Sequence, residues 1–139
     1  MNKITFFDTN VLLYMFDRRD IVKRRQAANA FRQHFQAGTL VISTQVIQEF
    51  YFAVTRKLSL LPGRAKQLIG DLCDLRVVTI GTANILRAVD MSQRFKLSFW
   101  DGLILAAAEE AEARVLFTED LNHGQTYVGI RVVNPFLAN

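Results

Sequence analysis

Four carboxylates define the chemistry this chain could perform: Asp8, Glu49, Asp101 and Asp120. Each falls where an apolar run gives way to a loop or helix, or on the helix that follows. At an effective dielectric near 20, two carboxylates about 5 Å apart repel by roughly 3 kcal/mol. No fold needs four of them together, but a divalent cation does. Oxygen ligands without histidine or cysteine suit Mg²⁺ or Mn²⁺, and His34, His123 and Cys73 show no zinc-type spacing. Hard cations held by carboxylates can activate water and neutralise charge on a phosphodiester. Taken singly, the acids also have structural readings: Asp8 as a helix N-cap, Asp101 as dipole compensation in a first helical turn, Asp120 as a turn residue. As a set they fit those readings less well, because Phe7-Asp8 and Phe99-Trp100-Asp101 place carboxylates inside strongly apolar segments.

The elements that would position these residues follow from periodicity. KITFF at 3–7 is a short β-rich run directly before Asp8, and 10–16 reads as a short helix. Residues 20–37 form a longer helix with Ile21, Ala28, Phe31 and Phe35 on one stripe, Asp20 as N-cap and Gly38 as the stop. LVIS at 40–43, RVVTI at 76–80, VLFT at 115–118 and IRVVN at 130–134 read as strands. Between them, helices are expected over about 44–58, 62–75, 82–95 and 99–113, with Ser43 or Thr44 capping the first and Pro62 in the first turn of the second. The strands are continuously apolar, as expected for a sheet covered on both faces. The pattern predicts a single three-layer α/β/α domain over 1–139, with a mainly parallel central sheet of four to five strands. Sites in such sheets form outside the carboxyl ends of the strands, which is where the four acids converge.

The composition agrees with a packed globule: 50% of residues are hydrophobic and only 2 are prolines. A chain of this length buries roughly two-thirds of its unfolded surface, so it needs no disulfide or metal to fold. One cysteine and no visible signal peptide point to a reducing cytoplasm. No apolar run approaches the roughly 20 residues of a membrane span, so no membrane partner is expected. The net charge is +4, but setting the four acids aside leaves 9 acidic against 17 basic residues. The remaining surface is therefore more basic than the total suggests and favours a polyanionic partner. Basic residues recur at Arg18-Arg19, Lys23-Arg24-Arg25, Arg56-Lys57, and Arg64 with Lys66. Each group can also be a solvated helix face.

FFDTNVLLY resembles the opening of the PIN domain, whose first strand ends in an aspartate followed by a small hydroxyl residue and asparagine. TQVIQEF resembles its second motif, with Glu49 as the acid, and FWDGLILAAA its third, with Asp101. LFTEDLNHGQ and then GIRVVNPF resemble the fourth motif and the closing strand of bacterial VapC-type toxins. The resemblance covers nearly the whole chain in order. It implies an Mg²⁺- or Mn²⁺-dependent endoribonuclease acting on RNA, with Asp8, Glu49, Asp101 and Asp120 as metal-binding and catalytic acids and Asn10 and Thr118 as polar supports. It also implies a small antitoxin partner and frequent homodimerisation. Lys23, Arg24 and Arg25 are candidates for RNA contact.

Two other classes compete with that expectation. A phosphatase using Asp8 as nucleophile usually needs a second aspartate two residues later, where this chain has Asn10. A non-catalytic RNA-binding or scaffold protein on the same fold need not keep all four acids. Of the neighbouring residues, Ser98 is read as a helix cap and Glu119 as facing solvent. Trp100 is read as a core indole rather than a base-stacking platform, His34 and His123 as surface residues, and Cys73 as a small core residue.

Overall fold

The computed structural model describes residues 3–137. Strand β1 (Thr5–Phe7) is buried throughout and ends at Asp8, whose extended backbone and side chain cap helix α1 (Thr9–Tyr14). Helix α2 (Ile21–Ala37) starts where Asp20 accepts from the Lys23 N–H and stops at Gly38, with φ of 72°. That left-handed conformation is readily adopted only by glycine. Strand β2 (Leu40–Ser43) leads directly into helix α3 (Thr44–Arg56), capped by the buried Ser43 hydroxyl, and helix α4 (Pro62–Cys73) follows with proline in its first turn. Strand β3 (Arg76–Val78), helix α5 (Thr82–Phe95), helix α6 (Phe99–Glu110), strand β4 (Val115–Phe117), strand β5 (Thr126–Tyr127) and strand β6 (Ile130–Val133) complete the order.

The strands form one sheet in the order β3-β2-β1-β4-β6-β5. All pairings are parallel except β5 with β6. Successive side chains of a strand point to opposite faces, and Phe6 and Phe7 are both fully buried, so helices cover both faces. This is the expected three-layer architecture, with a sixth, two-residue strand added at the edge. From β1 the chain builds outward through β2 and β3, then returns to place β4 on the other side of β1. The order therefore reverses between β1 and β4, and a crevice opens at their carboxyl ends.

The stripe expected on α2 lies elsewhere. Ile21 and Phe35 are exposed, and Ala27 is the residue buried. Phe31 and His34 supply the contact with the sheet, their rings 6.4 and 5.6 Å from that of Phe7. Cys73 is exposed rather than in the core, because the buried face of α4 runs through Ala65, Leu68 and Leu72.

Helix α6 is buried from Gly102 to Ala108 and packs closely on α5. A Cβ on Gly102 would stand 2.6 Å from the Ala88 carbonyl oxygen, so only glycine permits this approach. Gly102→Ala is therefore expected to destabilise the fold by about 2 kcal/mol, seen as a fall of roughly 6–12 °C in melting temperature. An unchanged melting curve would mean that the two helices separate at little cost.

Candidate active site

The crevice between β1 and β4 collects side chains from four distant segments. Asp8, 6% exposed, follows β1. Its Oδ1 accepts from the Thr9 N–H at 2.7 Å and its Oδ2 from the Thr118 hydroxyl at 2.8 Å. Thr118, directly after β4, is fully buried. Its oxygen accepts from Asn10 Nδ2 at 3.2 Å and from the Asp120 N–H at 3.1 Å. With both lone pairs engaged, its proton is directed at Asp8. Asn10 Nδ2 also reaches Asp120 Oδ2 at 3.0 Å, and Asn10 Oδ1 accepts from the Glu119 N–H at 3.4 Å. One asparagine on α1 thus holds the loop after β4 at both its backbone and its acid.

Glu49 lies on α3, partly exposed. Its carboxylate accepts from the Thr9 hydroxyl at 2.6 Å and from Gln45 Nε2 at 3.3 Å. Gln45 is one turn earlier on the same helix, and its Nε2 also donates to the Trp100 carbonyl at 3.3 Å, tying α3 to the start of α6. Its Oε1 is buried without a hydrogen-bond partner. Asp101 lies in the first turn of α6, where Ser98 caps the helix by accepting from its N–H at 3.1 Å.

Asp8, Glu49 and Asp120 line one cleft. Asp101 joins them electrostatically. Burial is the main cause that raises its pKa, the Ser98 hydrogen bond opposes this, and the charges of Asp120 and Glu49 add to it. Asp8 is pushed up to about 7, chiefly by burial. Its bonds to Thr118 and Thr9 pull it down, and the Asp120 and Glu49 charges push it up again. Both Asp8 and Asp101 thus feel Asp120 and Glu49, although Asp101 is not part of the cleft lining. Among the described residues, no three His, Cys, Asp or Glu side chains stand close enough together to hold an ion as they are. The donor set is oxygen-only and anionic, which suits a hard divalent cation in kind.

Several neighbours differ from expectation. Glu119 does not face solvent. Its carboxylate accepts from the Tyr14 hydroxyl at 2.8 Å and pairs with Lys23 Nζ at 2.9 Å. The Lys23 ammonium also lies 4.7 Å from the Tyr14 ring centre. Lys23 is therefore engaged at the rim of the site, whereas Arg24 and Arg25 are exposed. Trp100 is not a core indole: it is 62% exposed, because the buried face of α6 begins two residues later. His34 is not a free surface residue. Its ring packs between Phe7 and Phe117, and its Nδ1 lies 2.8 Å from the Thr39 hydroxyl. His123 is exposed and accepts from the Asn134 N–H. Gln45 and Tyr14 are contributors that the motifs alone did not single out, and Thr9, the hydroxyl residue of the first motif, is the partner of Glu49.

Thr118 is where site and stability meet. Thr118→Val keeps the shape but removes the donor to buried Asp8 and the acceptor for Asn10 and Asp120. A loss of about 2–4 kcal/mol in unfolding free energy by urea titration is expected, with Thr118→Ser much closer to wild type. Equal stability of the valine variant would show that the hydroxyl's hydrogen bonds contribute no net stability to the fold.

A mainly parallel three-layer sheet with acids at its switch point defines the structural class. The sequence matches the PIN domain model over residues 5–128, and the chain belongs to the PIN domain family. A toxin–antitoxin complex from Klebsiella pneumoniae includes a chain similar to this one at 24% identity and a TM-score of 0.68, covering 94% of this chain and 97% of that one. The Mycobacterium tuberculosis VapC20, described as a sarcin–ricin loop cleaving toxin, is similar at 15% identity and a TM-score of 0.64, covering 84% and 89%. DNA-bound VapBC from Salmonella typhimurium is similar at 19% identity and a TM-score of 0.63, covering 95% and 97%. No curated protein sequence matches the chain. No helix among the described residues is long and apolar enough to cross a membrane.

Proposed function

We propose that the protein is a metal-dependent endoribonuclease and the toxin component of a toxin–antitoxin pair. The observation that carries this reading is the buried Asp8 carboxylate, fixed by Thr9 and Thr118 at the switch point and lining one cleft with Glu49 and Asp120. These four acids would hold Mg²⁺ or Mn²⁺. When bound, the metal would supply an activated water and neutralise charge on the phosphodiester. Asp8 is the fixed member, because its hydrogen bonds leave it little freedom. Asn10 orients Asp120, and Thr9 with Gln45 orients Glu49. Glu49 and Asp120, the less confined carboxylates, would accept the proton of the attacking water.

The phosphatase reading is disfavoured by the same geometry. The second acid that such an enzyme usually carries two residues after its nucleophile is here Asn10, whose amide is taken up by Thr118 and Asp120. The scaffold reading leaves the cost of four neighbouring acids without a return. Similarity to chains from toxin–antitoxin assemblies supports an antitoxin partner, which would restrain the enzyme by covering the cleft; a homodimer acting in the cytoplasm is part of the same proposal.

The purified protein should cleave RNA with Mn²⁺ or Mg²⁺ and stop with EDTA. Absence of cleavage across structured and single-stranded RNAs, in both metals, would remove the nuclease reading. Co-expression with the small protein encoded beside it should give a complex with reduced activity, and a neighbour that neither binds nor inhibits would remove the toxin reading alone.

A further inference from the structure

The acidic cleft does not end at the acids. Asp8, Glu49 and Asp120 share it with Phe52 and Lys57. Lys57 also lines the adjoining cleft with Leu13, Tyr14 and Arg19, and a third cleft walled by Arg18, Leu61 and Arg64. Because Lys57 is common to all three, they form one continuous channel leading away from the carboxylates. Arg19 is paired with Asp17 at 2.9 Å. Lys57, Arg18 and Arg64 form no ion pair among the described residues. At the acidic end Phe52 is 59% exposed, with the Arg56 guanidinium 5.1 Å from its ring centre.

We propose that this channel carries one flank of a single-stranded RNA. Lys57 takes a phosphate beside the scissile one, Arg18 and Arg64 take phosphates farther along, and Phe52 stacks on a base next to the acids. The assignment rests on the nuclease reading. A strand cut at the carboxylates has to leave them, and free cations along one exit offset the repulsion that the acids exert on its phosphates. Base–aromatic stacking tolerates any sequence, so this flank would add affinity and register rather than base specificity. An acidic peptide is the other occupant a basic groove could take, but it has no need of continuity with four carboxylates.

The test is binding, measured in EDTA so that cleavage plays no part. A fluorescent mixed-sequence single-stranded RNA of about 12 nucleotides is titrated by anisotropy at several salt concentrations. Lys57→Gln should weaken binding several-fold, and Arg18→Glu with Arg64→Glu by about tenfold or more. The salt slope should fall by about 0.7 for each phosphate no longer neutralised. Phe52→Ala should weaken binding without changing the slope. Lys3→Glu with Arg114→Glu, at the amino ends of β1 and β4, reverses two charges at the opposite edge and should have little effect. Melting curves confirm that each variant is folded. Groove variants that bind RNA like wild type, or a far-edge control that weakens binding as much, would overturn the assignment, as would unchanged RNA binding with lost binding of a polyglutamate peptide. RNA cleavage that does not depend on the groove removes this proposal and leaves the nuclease. Groove-dependent binding without cleavage in Mg²⁺ or Mn²⁺ removes the nuclease and leaves the groove as an RNA site.

Discussion

Asp8→Asn is expected to lower metal-dependent RNA cleavage by about 10²–10⁴-fold, the rate equivalent of several kcal/mol of lost charge stabilisation. The substitution keeps the size and the position of the side chain but removes the one acid that the fold holds rigidly. It also has a local cost that can be read from the hydrogen bonds. In one orientation the new Nδ2 faces the Thr118 proton, which cannot turn away because the Thr118 oxygen already accepts from Asn10 and Asp120. In the other it faces the Thr9 N–H. A modest loss of thermal stability is therefore expected at about pH 5, where Asp8 is itself largely protonated, and circular dichroism should show the same secondary structure. The measurement is single-turnover cleavage at saturating Mn²⁺, beside Thr118→Ser as a variant that preserves the network. A rate within threefold of wild type for Asp8→Asn would show that the metal, if bound, sits elsewhere.

The parts of the fold legible in the sequence were those fixed by local patterns. The apolar runs around 3–7, 40–43, 76–80, 115–118 and 130–134 each gave a strand, to within two residues at either end. The Asp20, Ser43 and Ser98 caps and the Gly38 stop lie where turn chemistry puts them. The convergence of Asp8, Glu49 and Asp120 on one cleft followed from topology alone. What was hidden depends on tertiary partners. The apolar residues of α2 gave a false stripe because the helix lies at the periphery, leaving Ile21, Val22 and Phe35 in solvent. Trp100 has a composition that suggests a core and a helical phase that exposes it. Glu119 finds Tyr14 and Lys23, both about a hundred residues away in the chain, and nothing in its neighbours announces them. Strand β5 was missed because its hairpin turns through Val128 and Gly129 at φ of 43° and 82°. A β-branched residue is rare in that conformation, where asparagine or aspartate would have been the signal.

The basic residues show the same division. Their abundance predicted a polyanionic partner, but not which of them are free. Lys23 and Arg19 are drawn into ion pairs with Glu119 and Asp17, and Arg87 with Glu109. A charge that satisfies the protein's own acids is less available to a ligand, so the count of lysines and arginines overstates the surface open to RNA. Lys57, which no motif marked, adjoins the acids because α3 ends there.

The metal-free protein should lose stability as pH rises from about 4 to about 7, and Asp8 should account for most of that loss. Its carboxyl is pushed up to about 7, against 3.8 for the unperturbed group. For a raised carboxyl pKa, the folded state keeps a proton that the unfolded chain has already released. Below the unfolded value both states are protonated and there is no penalty; between the two values stability falls; above the folded value the penalty is complete. Three units at 1.36 kcal/mol each give about 4 kcal/mol as the upper scale. Asp101, raised in the same direction but partly exposed, adds a smaller contribution that solvent screens. Urea unfolding in EDTA at about pH 5 and about pH 8 measures the slope, and the difference between wild type and Asp8→Asn isolates the Asp8 share from every other titrating group. Mn²⁺ should reverse the trend. A cation favours the carboxylate, so its stabilisation grows with pH and with its affinity for the folded state, and it should be small in Asp8→Asn. If wild type and Asp8→Asn show parallel pH profiles in EDTA, the proton is not held at Asp8. If Mn²⁺ stabilises both equally, Asp8 is not among its ligands.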